Sequence, residues 1–149
     1  MANENLLSVA KSIHRNGEIK PYRLFSSCIS SGVLERTLYA FAFDLDGVGT
    51  KQIQKLCMMV RLGMAPMPNL ITNSGHGLHL YYLLEHPVPL CPDNIALLNK
   101  MKFGLTNILW NDHTSALLSR QHQGIIQGFR IPGSLTKFGE RIRSFQIGR

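Results

Sequence analysis

Asp44 and Asp46 stand at the end of an apolar run, Leu38-Tyr39-Ala40-Phe41-Ala42-Phe43, in the order Asp44-Leu45-Asp46-Gly47. Such a run reads as a β-strand, and residues two apart on a strand point to the same side. The two carboxylates would stand side by side at a strand end, where they repel unless a cation lies between them. Hard oxygen ligands of this kind suit Mg²⁺ or Mn²⁺, which keep waters and bridge to substrate phosphates. The other reading of the same residues is a strand followed by a plain Asp-Gly turn.

A second segment, residues 71–84, reads ITNSGHGLHLYYLL. Ser74, Gly75 and Gly77 free a stretch of backbone for close approach to a ligand. Successive N–H groups in such a turn make a concavity for anions. His79 and Tyr81 share one face of the strand that follows, and Leu78, Leu80 and Tyr82 share the other. His79 is then placed to donate to a phosphate oxygen held by the turn. The competing reading is a tight hairpin with a satisfied core histidine. A third segment, residues 127–138, reads QGFRIPGSLTKF. Arg130 ends a strand before Pro132-Gly133, and Lys137 follows. A guanidinium and an ammonium flanking a turn would grip a triphosphate or a nucleic-acid backbone. A basic, solvated loop would look the same.

The elements that must position these groups are legible from periodicity and punctuation. An amphipathic helix is expected over residues 1–17, with Leu6, Leu7, Ala10 and Ile13 on one face and Asn16-Gly17 at its end. Pro21 and the Ser26–Ser31 region mark a loop. A strand over 38–45 precedes the DLDG turn. Thr50 caps a helix over 51–62 that turns Ile53, Leu56, Cys57 and Val60 inward. Two strands follow, over 70–72 and 78–84, and Pro87, Pro89 and Pro92 interrupt regular structure. A second helix is expected over 93–110, with Ile95, Leu98, Met101, Leu105 and Ile108 as its apolar stripe. Residues 128–131 and 142–147 are strand candidates. Helices and strands mix without strict alternation, so the expected class is α+β.

The chain has 149 residues, of which 44% are hydrophobic and 17% charged, which suits one soluble domain with a real core. No apolar stretch approaches the roughly 18 residues of a membrane span. The N-terminus lacks the apolar core of a secretory signal, so a cytoplasmic protein is expected. Cys28, Cys57 and Cys91 are too scattered for a zinc site or a disulfide framework and are expected as buried free thiols. The net charge of +7 favours polyanionic partners. Its distribution is more telling, because Arg130, Lys137, Arg141, Arg143 and Arg149 face Glu140 alone in the last stretch.

Taken in order, DLDG, SGHGLH and FRIPGSLTK resemble the archaeo-eukaryotic primase superfamily, the primase-polymerases of plasmids, phages and integrative elements. That family pairs an hhDhD strand with an SxxGxH-like segment, and its small bacterial members often carry an R-h-PG-[TS]-x-x-K stretch. The resemblance covers roughly residues 38–138. It implies an RNA-recognition-like palm, a mixed or antiparallel sheet packed by helices. The implied activity is two-metal nucleotidyl transfer from an NTP or dNTP on a single-stranded DNA template. The chain would be one domain, residues 1–149, as the N-terminal part of a longer replication protein, with a helicase domain or protein as partner. By the same resemblance Asp44 and Asp46 would bind Mg²⁺ or Mn²⁺, while Ser74, Gly75 and His79 would meet the nucleotide phosphates. Arg130 and Lys137 would contact phosphates or template, and Arg141 and Arg143 would add to the DNA contact. No zinc is implied.

The family usually has a third carboxylate on a strand before the Arg-Pro-Gly stretch. Here Gln123, Gly124 and Gln127 occupy that region without an acid. Asp112 is the best candidate for the third ligand and catalytic acid; Asp93 reads as a helix cap. Two other functions compete. DLDGVGT and LITNS look like the first two motifs of haloacid-dehalogenase-type phosphatases, with Asp44 as nucleophile and Asp46 as general acid, but the later paired acids of that family have no counterpart. A non-catalytic nucleic-acid-binding module of a replication initiator is the third reading.

Overall fold

The computed structural model describes residues 24–26, 28–31, 35–126, 128–130, 139–141 and 143–146. The expected N-terminal helix, the Pro132-Gly133 turn and Lys137 lie outside the described residues. In chain order the elements are β1 (Leu24–Ser26), β2 (Cys28–Ser31), β3 (Glu35–Asp46), α1 (Thr50–Arg61), β4 (Leu70–Asn73), β5 (Gly77–Pro89), α2 (Pro92–Leu109), β6 (Gly128–Arg130) and β7 (Ser144–Gln146). Five strands form one sheet in the order β2-β3-β5-β4-β7, and β1 and β6 form a two-stranded ribbon. Every strand pair among the described residues is antiparallel. The class is therefore α+β, with an antiparallel rather than mixed sheet. The Ser26–Ser31 region, expected as a loop, supplies strand residues to both sheets.

The middle of β3, residues 38–43, is an unbroken apolar run because both of its faces are covered. Phe41, Phe43 and Leu45 pack in the main core with Leu56, Leu98, Leu109 and Trp110 from the helical side. Ala42 points the other way and joins Tyr81 and Phe129 in a second cluster. Phe43 meets Tyr82 edge-on at 5.6 Å between ring centroids, a geometry worth about 0.5–1.5 kcal/mol beyond area burial.

Several local expectations fail for physical reasons. β5 continues through Pro87 to Pro89, pairing Val88 with Leu38 and Pro89 with Thr37 across a register irregularity at Leu38–Ala40. Past Tyr81 its β4 partner ends. Beyond Leu83, whose N–H the Asn69 side chain accepts, no described strand pairs with that edge, and proline is tolerated at a strand edge. In α1 the cap is Gly49, not Thr50, and Gln52 Oε1 accepts the Gly49 N–H at 3.1 Å. Ile53 and Cys57 are exposed, and the inward residues are Leu56, Met59 and Val60. In α2 Met101 and Ile108 face solvent, while Leu98, Lys102, Thr106 and Leu109 are buried. Ile95, Leu98 and Leu105 pack on the core as expected, and the buried face widens to take in Lys102 and Thr106. Cys91 precedes α2 and is exposed like Cys57, so neither is a buried thiol. Asp93 lies in the first turn of α2, where its charge suits the helix dipole, but it makes no capping hydrogen bond.

Candidate functional site

Strand register brings the candidate residues together. Asp44 of β3 lies opposite His79 of β5, and His79 lies opposite Thr72 of β4. A polar row therefore crosses three strands on the face away from the main core, and Ser144 of β7 holds the register position opposite Thr72. Asp46, two residues beyond Asp44, is at the next same-side position, opposite Gly77 at the sheet end.

His79 Nε2 stands 3.4 Å from Asp44 Oδ1, longer than a charge-assisted hydrogen bond. Asp44 Oδ1 and His79 Nδ1 are both buried without a hydrogen-bond partner among the described residues. Such atoms cost about 1–3 kcal/mol each, and native folds retain them where an ion, water or ligand completes them. The Asp44 side chain is 28% exposed, so the row opens to solvent at this carboxylate. At its inner end burial pushes the Tyr81 phenol well above its ordinary pKa; the hydroxyl of the buried Thr72 opposes that rise and the Asp44 carboxylate adds to it.

His79 itself is only 5% exposed. The Phe129 ring of β6 closes over it at 5.2 Å and reaches Tyr81 at 5.9 Å, both edge-on. The histidine, expected to donate to a phosphate held by the glycine turn, is therefore shielded by the Phe129 ring. That turn also differs from an open anion cradle. The Ser74 N–H donates to Gly77 O at 3.0 Å, and the Gly75 N–H donates to Asn73 Oδ1 at 2.8 Å. Both donors are consumed inside the turn. Gly75 adopts φ +104°, which glycine permits. Gly77 serves the sheet, not a ligand, because a Cβ there would collide with the Leu45 carbonyl of β3.

The carboxylate end of β3 is held from two sides. The Gly47 N–H donates to His76 O at 3.0 Å, the Ser115 hydroxyl donates to Asp46 O at 2.7 Å, and the Ala116 N–H donates to Gly47 O at 2.9 Å. The loop after α2 thus fixes the corner, but with Ser115 rather than with Asp112. Asp112 is exposed in the turn where Asn111 accepts from the His113 N–H and reaches Met59 of α1. Among the described residues no three His, Cys, Asp or Glu side chains are gathered to hold a metal ion. The expected Asp44–Asp46–Asp112 ligand set is therefore not assembled here. A turn anchored by its own asparagine and threonine side chains holds the acid outward.

Of the basic candidates, Arg143 adjoins the glycine turn through its backbone: its carbonyl accepts the Asn73 N–H at 3.0 Å, next to Ser74-Gly75. Arg141 is exposed. Arg130 pairs with Leu24 through the backbone of the β1–β6 ribbon, and Phe129 beside it covers His79. Thr72, Ser115, Phe129 and Lys102 escaped the sequence reading. A hydroxyl at Thr72, inside the otherwise apolar Leu70-Ile71-Thr72, was the one available signal. No family model matches the chain, and neither a curated protein nor a solved structure matches it.

Proposed function

We propose that the chain is a divalent-metal-dependent nucleotidyltransferase of the primase-polymerase kind. It would add NTPs or dNTPs on a single-stranded DNA template in the cytoplasmic replication of a mobile element, alongside a helicase. The observation that carries this reading is the Asp44–His79 register pair at the open end of an antiparallel sheet, with Asp46 two residues on. Asp44 Oδ1, buried 3.4 Å from His79 Nε2 and without a hydrogen-bond donor among the described residues, has the character of a metal ligand. Asp44 and Asp46 would hold Mg²⁺ or Mn²⁺ together with water and substrate phosphates. The bound ions would supply charge stabilisation to the attacking and leaving oxygens. His79 keeps the Asp44 carboxylate oriented from the neighbouring strand, and Phe129 keeps water off the imidazole. Arg143, beside the Ser74-Gly75 turn, and Arg130 of β6 would contact the triphosphate and the template backbone.

The antiparallel pairing around Asp44 weighs against the phosphatase reading, whose Rossmann-like sheet is parallel. The test is incubation with single-stranded DNA, labelled nucleotides and Mg²⁺ or Mn²⁺. Templated products from the wild type and none from Asp46→Asn are expected. Full activity in Asp46→Asn would sink the two-metal proposal. Phosphate release from small phosphoesters would support the phosphatase, and DNA binding without product would leave a binding module.

A further inference from the structure

The middle of α2 buries a lysine where its neighbours on the same face, Leu98 and Leu109, are apolar. Lys102 is 2% exposed. Its Nζ donates to Gly124 O at 2.9 Å. It also stands 5.6 Å from the centroid of the Phe43 ring and 5.6 Å from that of the Phe129 ring. An ammonium between two aromatic rings is attracted to both, and more strongly when shielded from water. Phe43 immediately precedes Asp44, and Phe129 immediately precedes Arg130. The Phe129 ring is the one that closes on His79 at 5.2 Å. One buried cation therefore touches the strand that carries the carboxylate, the ribbon that carries the arginine, and the loop between α2 and β6.

We infer that Lys102 is a positioning residue: its ammonium links the Phe129 ring to the Phe43 ring, and so sets the β6 segment over the Asp44–His79 row. The activity arm of the test rests on the nucleotidyltransferase reading; the spectroscopic arm does not. Phe129 lies edge-on to His79, so its ring current shifts the imidazole proton signals, which report its place directly. Lys102→Met keeps length and apolar volume while removing the charge.

The expected result is a folded Lys102→Met protein with displaced His79 imidazole resonances and template-directed turnover lowered at least tenfold. Mn²⁺ affinity should be retained, and Lys102→Arg should restore part of the turnover. Phe129→Leu removes the other half of the contact and should reproduce both effects. The double variant should lose clearly less than the sum of the two single losses, because the shared contact is lost only once. Unmoved His79 resonances in Lys102→Met would overturn the inference, as would additive losses in the double variant. Should Lys102→Met fail to fold, unchanged turnover in Phe129→Leu would overturn it equally. A wild type with no transferase activity would refute the proposed function, while the His79 signals would still decide the role of Lys102.

Discussion

Asp44→Asn separates the cation-binding role of this carboxylate from any role in the fold. Asparagine keeps the shape and removes the charge. In the metal-free protein little is lost: the contact to His79 Nε2 is 3.4 Å, and among the described residues Asp44 Oδ1 has no hydrogen-bond donor. The swap also removes the repulsion between Asp44 and Asp46, so stability should hold or rise slightly. With metal the comparison reverses. A site filled at a hundredfold excess over its dissociation constant stabilises the native state by about 2.7 kcal/mol. For a domain of this size each kcal/mol moves the melting temperature by about 2–4 °C, which gives a shift of about 5–11 °C. The assay is thermal unfolding across a MnCl₂ titration, with CaCl₂ alongside, for the wild type and the variant. The wild type should rise saturably by that amount, and Asp44→Asn should rise by little or nothing. Equal shifts in the two proteins would show that Asp44 does not hold the ion. A flat wild-type curve at millimolar Mn²⁺ would refute the reasoning from the orphaned carboxylate oxygen altogether.

Gly77→Ala should destabilise the fold by about 1–3 kcal/mol or more, since the added methyl meets the Leu45 backbone and no side chain can yield; denaturant unfolding checks this. Tyr81 carries a phenol whose pKa burial raises in the folded state, so the native protein holds that proton after the unfolded chain has released it at about pH 10. Its contribution is complete below pH 10 and is lost as pH rises beyond it, and Tyr81→Phe should flatten the fall in melting temperature above pH 10. In the Arg130/Lys137 double alanine variant the salt slope of single-strand binding should fall by about 0.7 per lost phosphate contact. The weakening should be similar for all template sequences; an unchanged slope and turnover would remove both residues from the functional account.

Some of the site was legible in the chain because it depends on local rules. The period of two along β3 is enough to put Asp44 and Asp46 on one side, and the same rule on β5 puts His79 with Tyr81. The Asp-Gly and Ser-Gly punctuation marks the two turns that end these strands. An apolar run followed by a turn also announces a central strand. These are properties of residues within a few positions of one another, and the structure keeps them.

What the chain alone left open depends on which strands become neighbours and how far helices rotate. Asp44, His79 and Thr72 form a row only because β5 inserts between β3 and β4 in a particular register, a relation without local signature. The glycine turn looked like an anion cradle from composition, but its donors are spent on Asn73 and Gly77 once the hairpin closes. Gly77 looked like ligand access and proves to be the place where two backbones meet. In α2 the expected Ile95, Leu98 and Leu105 do pack on the core, but Lys102, Thr106 and Leu109 take the places that Met101 and Ile108 leave. Whether a lysine lies inside is settled by the carbonyl and the two rings that surround it. Those partners come from residues 43, 124 and 129, and only the closed tertiary structure brings them to one point.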